Sequence, residues 1–105
     1  MKQRTIAEII KAERAKRNWT VKHFTEKLRP AVGKNLSPAY ITRIEQYGEV
    51  PSPELLCIIA EILELDLEKL MELARETKVR RFDESLEKKY REAVGLHRVQ
   101  KKSED

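Results

Sequence analysis

Apolar residues recur three or four apart through most of this chain, and nowhere do they alternate with the two-residue period of a strand. The spacing predicts five short helices over the first three-quarters and an amphipathic one beyond. Thr5 caps a helix running to about Arg17, with Ile6, Ile9 and Ile10 inward. Thr20 caps a second, which buries Phe24 and Leu28 one turn apart. Ser37 followed by Pro38 opens a third: the serine oxygen accepts an otherwise unpaired amide, and proline's missing N–H costs nothing at the first helical position. This helix buries Ile44 and either Tyr40 or Ile41, and stops near Gly48. Ser52 and Pro53 repeat the pattern at the head of a fourth helix reaching Leu63. Asp66 caps a fifth, in which Leu67, Leu70, Met71 and Ala74 are apolar. The fold class is therefore all-α.

Two stretches are read differently. Residues 29–35, between the second and third helices, contain Pro30 and Gly33 and are expected to form a protruding loop, not extra helix. From residue 75 to 94 no Gly or Pro interrupts, and Val79, Phe82, Leu86, Tyr90 and Val94 make a stripe that needs cover. That helix either folds back on its own domain or pairs with a second subunit. Dimerisation is the preferred reading, because the five-helix segment already closes its own core. Gly95 is expected to end the helix, leaving residues 96–105 as a charged, partly disordered tail. The domain boundaries are thus 1–74 and 75–105.

Charge sharpens the picture. The 105 residues carry a net +4, unevenly spread: residues 1–47 hold eleven Lys/Arg against four Glu, whereas residues 48–74 hold Lys69 against seven acids. Positive charge gathered on the half that carries the second and third helices is the footprint expected for a polyanionic partner. A basic stretch that only keeps the protein soluble is the plainer alternative. The single Cys57 has no disulfide or zinc-ligand partner and, between Leu56 and Ile58, is expected to be a buried thiol. No apolar run approaches membrane-spanning length and no signal-peptide core is present, so no membrane association and a cytoplasmic location are expected. His23 and His97 are isolated, no nucleophilic triad is in evidence, and no Gly-rich loop could cradle a phosphate. The chain does not read as an enzyme, and no cofactor or metal is expected.

Three ordered pieces carry a family likeness: Trp19 and Thr20 leading to Phe24 and Leu28; Leu36 and Ser37 through Tyr40, Ile41, Thr42, Arg43, Ile44 and Glu45; and Pro51 and Ser52 through Leu55, Leu56, Ile59, Ala60 and Leu63. Together they resemble the lambda-repressor-like helix-turn-helix domain of the Cro/C1 (XRE) family of bacterial and phage regulators. The resemblance covers residues 5–74. It implies a five-helix globule whose third helix, 37–46, lies in the major groove of double-stranded DNA, commonly as a homodimer on a palindromic operator. It also implies an internal ion pair between Arg14 and Glu45.

On this resemblance the phosphate-facing candidates are Arg17, Thr20, Val21, Lys22 and Lys34, together with the amide end of the third helix at Ser37; Lys34 and Asn35 on the 29–35 loop reach either phosphates or a base edge, unless that loop is a passive surface. Base edges would fall to Pro38, Ala39, Thr42 and Arg43. Arginine can bond guanine bidentately, although a phosphate contact and a plain solvated charge for Arg43 are together an equal alternative. The chain departs from the family at Val21, where relatives usually carry Gln, and at Pro38 and Ala39, which replace longer polar side chains. The expected function is a sequence-specific transcriptional regulator, a repressor. The alternative is an antitoxin or protein-interaction module acting through the acidic 48–74 face and the C-terminal helix.

Overall fold

A computed structural model describes residues 4–103, with side chains through residue 96. Among these residues the chain is entirely helical: α1 (Ile6–Lys16), α2 (Val21–Val32), α3 (Pro38–Tyr47), α4 (Pro53–Ile62) and α5 (Leu67–Ser103). It divides into two compact units after Arg75. No described helix is long and apolar enough to cross a membrane.

Caps set the start of each helix. The Thr5 hydroxyl accepts the Glu8 amide while the Glu8 carboxylate reaches back to the Thr5 amide, a reciprocal pair that uses two otherwise orphaned donors. Thr20, Ser37 and Ser52 each accept the amide three residues on, and Asp66 Oδ1 accepts from Glu68 and Lys69. Between α1 and α2 the chain turns at Asn18, which takes the left-handed conformation at φ 58° that asparagine tolerates better than most residues.

The core of the first unit draws on every helix in it. Ile6 and Ile10 from α1, Phe24 and Leu28 from α2, Ile41 and Ile44 from α3, Leu55, Leu56 and Ile59 from α4, and Leu70 and Leu73 from α5 form one buried cluster. Ile41, not Tyr40, is the fully buried partner of Ile44; Tyr40 packs against the edge of the cluster. Thr25, also fully buried, donates its hydroxyl to the Val21 carbonyl at 2.8 Å, so no polar atom is stranded there.

Four expectations need correction. The segment 29–35 is not a loop: α2 continues through Arg29, Pro30 and Ala31 to Val32. Proline removes one intrahelical donor, but the turn is closed from both sides. The Gly33 amide donates to the Arg29 carbonyl at 2.8 Å, and Arg29 Nε donates to the Leu36 carbonyl at 3.1 Å. The true connection is residues 33–37, anchored by buried Leu36.

Cys57 is exposed, not buried. With Leu55, Leu56 and Ile59 turned inward, the 100° step per residue carries position 57 to the outer face. Gly95 does not end a helix either; α5 passes through it to Ser103. Gly95 lacks the left-handed φ of a terminating glycine, and the penalty of about 1 kcal/mol for an interior glycine does not break a long run of good formers. The tail expected at 96–105 is accordingly helical backbone to Ser103, and residues 104–105 lie outside the described residues.

Gly33 carries the tightest backbone demand. Its φ of 121° with ψ of 166° lies in a region that essentially only glycine occupies, although a methyl group there would meet no atom within 4 Å. Gly33→Ala should therefore cost about 1–3 kcal/mol purely through the backbone. Urea denaturation checks this, and an unchanged midpoint would show that the connection can be rebuilt without strain.

Candidate nucleic-acid interface

Helix α3 has one side fixed and one side open. Its fixed side carries Ile41, Ile44 and Glu45, all buried. Arg14 of α1 grips Glu45 in a two-pronged pair: Nε donates to Oε2 at 2.8 Å and Nη2 to Oε1 at 2.9 Å. The third arm, Nη1, donates to the Trp19 carbonyl just before α2. One guanidinium thus ties α1, the α1–α2 turn and α3 together. The Glu45 hydrogen bond raises the pKa of Arg14 above its ordinary value, outweighing the opposing effect of burial.

The open side of α3 holds Ala39 and Arg43, both exposed, with Pro38 and Thr42 half-buried beside them. Gln46, three residues beyond Arg43 and seven beyond Ala39, is exposed on the same face, as is Tyr47 at its end. Neither was singled out by sequence reasoning, although the three-and-seven spacing places Gln46 on the Ala39–Arg43 stripe. Lys34 and Asn35 are exposed on the short α2–α3 connection, and Thr20 and Lys22 at the start of α2. Ser37 is half-buried, its hydroxyl occupied in capping.

Two of the predicted contacts look elsewhere. Arg17 Nη1 donates to the Glu13 carboxylate at 2.8 Å and to the Glu13 carbonyl, while Nη2 donates to the Leu63 carbonyl at the end of α4. It joins α1 to α4 and is not a free cation. The hydrogen bond from Arg17 holds the Glu13 carboxyl below its usual pKa. Val21 packs against the core, so it can offer a ligand its backbone amide but not its side chain.

Around Trp19 the surface combines aromatic and positive groups. The indole is stacked on Phe24, with ring centroids 6.3 Å apart, and Lys27 Nζ sits 4.8 Å over it. The seven acids of residues 48–74 are all exposed. In the second unit Val79, Phe82, Leu86, Tyr90 and Val94 are 40–66% exposed. Among the described residues no three His, Cys, Asp or Glu side chains come together as a metal site needs. No protein-family model, no curated protein and no solved structure matches this chain.

Proposed function

We propose that the chain is a DNA-binding transcriptional regulator of the Cro/C1 helix-turn-helix kind, with α2 bracing α3 and α3 reading the major groove. The observation that carries this reading is the asymmetry of α3. One face is locked by Ile41, Ile44 and the Arg14–Glu45 pair, and the other presents Ala39, Thr42, Arg43 and Gln46 outward from a strongly basic half-chain. A rigid helix with an open polar face is what base reading requires, because hydrogen-bond donors must be placed before the partner arrives.

In this assignment Arg43 and Thr42 face base edges, while Thr20, Lys22, Lys34, Asn35 and the amide ends of α2 and α3 face phosphates. Arg17 is left out, since Glu13 and Leu63 already hold it. The regulator acts as a homodimer through the 79–94 stripe and represses by occluding a promoter.

Selection from random duplexes, followed by sequencing, tests the reading. A two-fold symmetric motif should be enriched, with an affinity that falls steeply as salt is added. Arg43→Ala should relax the preference at one position per half-site by about 1–3 kcal/mol. Lys34→Ala should weaken all sequences alike and lower the salt slope by about 1. If no duplex binds better than random DNA, the specific-regulator reading is wrong.

A further inference from the structure

The Arg43 guanidinium has two neighbours before any ligand arrives. Its central carbon lies over the Tyr40 ring, 5.1 Å from the centroid, and its Nε faces Glu49 Oε2 at 3.6 Å. Glu49 reaches that place because α3 ends in a left-handed turn. Gly48 adopts φ 70°, and the Glu49 amide donates to the Arg43 carbonyl at 3.2 Å, closing the turn from six residues back. The backbone therefore pins Glu49 to the same residue whose side chain its carboxylate meets.

These contacts involve Nε and the central carbon, while the Arg43 side chain stays 58% exposed. With Nε towards Glu49, the two terminal nitrogens are left as donors for a ligand. Two parallel donors match the N7 and O6 acceptors of guanine. A phosphate is a poorer partner here, because it would bring a second negative charge close to the Glu49 carboxylate.

We propose that Glu49 is a positioning residue for base recognition: it commits Arg43 to a guanine edge and turns it away from phosphate. Sequence preference is then set by α3 together with the Gly48–Glu49 turn. This rests on the reading of α3 as a DNA-contacting helix.

The test uses the full chain and the selected duplex, with each guanine of the site replaced in turn and a random duplex as the non-specific reference. The wild type should discriminate against one guanine replacement by roughly ten- to a hundred-fold, and Arg43→Ala should lose that discrimination. Glu49→Gln, which keeps the shape and removes the charge, should bind the random duplex several-fold tighter and steepen the salt slope by about 1. Its discrimination at the same guanine should shrink to a few-fold, with thermal melting unchanged. Unaltered preference and random-duplex affinity in Glu49→Gln, beside lost preference in Arg43→Ala, overturn the role of Glu49 and leave the reading helix standing. If Arg43→Ala instead weakens every duplex equally, Arg43 is a phosphate contact and the proposal fails. If no duplex is preferred at all, the reading of α3 fails with it.

Discussion

Glu45→Ala is expected to lower the free energy of unfolding by about 3–5 kcal/mol, the range found when one partner of a buried ion pair is removed. The Glu45 side chain is only 1% exposed, and Arg14, at 14%, is close to buried. Deleting the carboxylate leaves a guanidinium with two of its three hydrogen bonds gone and little water to replace them. The Trp19 carbonyl is its remaining partner. Small domains hold roughly 5–15 kcal/mol in all, so the variant should be near its folding limit at room temperature. Glu49→Ala makes the natural control, since both members of the Glu49–Arg43 pair are well exposed and such pairs are worth about 0–1 kcal/mol. Chemical denaturation of the two variants decides the matter, and equal losses would show that the Arg14–Glu45 pair carries no special weight. A double change to well-packed apolar residues, Arg14→Met with Glu45→Leu, should recover much of the loss, because it removes two desolvated charges together.

Leu86→Asp should have the largest effect on DNA binding of any change in the second unit. Leu86 is the middle member of the 79–94 stripe and is 40% exposed in the single chain. Leu86 is not among the buried core residues, and a carboxylate there forbids an apolar seam between two copies. Linking two half-site contacts raises affinity by about 10²–10⁴ through effective concentration alone, and the variant should lose a factor of that order. Sedimentation at several concentrations should find the wild type dimeric and the variant monomeric, with matched loss of operator affinity. A wild type that is monomeric at every concentration tested would move the stripe to a different protein, which is the interaction-module alternative.

What could be read from the sequence was mostly what depends on three or four neighbouring residues. Ser37 with Pro38, Ser52 with Pro53, Thr20 and Asp66 each satisfy an amide one turn away, so the helix starts are written locally. The end of α2 was not legible, because Pro30 and Gly33 are breakers by type. What carries the helix past Pro30 is the Arg29–Leu36 bond, which exists only once the chain has turned. Cys57 was misplaced because its neighbours were weighed instead of its angle around α4. Arg17 counted as a surface cation by its charge, yet its partner carbonyl on Leu63 is 46 residues away. Arg14 and Glu45, 31 residues apart, came to notice only through a family likeness, since no periodicity relates them. The Glu49–Arg43 contact is illegible for a related reason: a separation of six is not a helical contact, and the two meet only through the left-handed turn at Gly48.

The outward position of Cys57 makes the protein straightforward to watch. It is the chain's sole thiol and lies on α4, a helix that supplies no residue to the proposed interface. One maleimide dye per molecule can be attached there without altering α3 or the 79–94 stripe. Mixing donor-labelled and acceptor-labelled copies would then report assembly by energy transfer, free of tags, fusions or new cysteines.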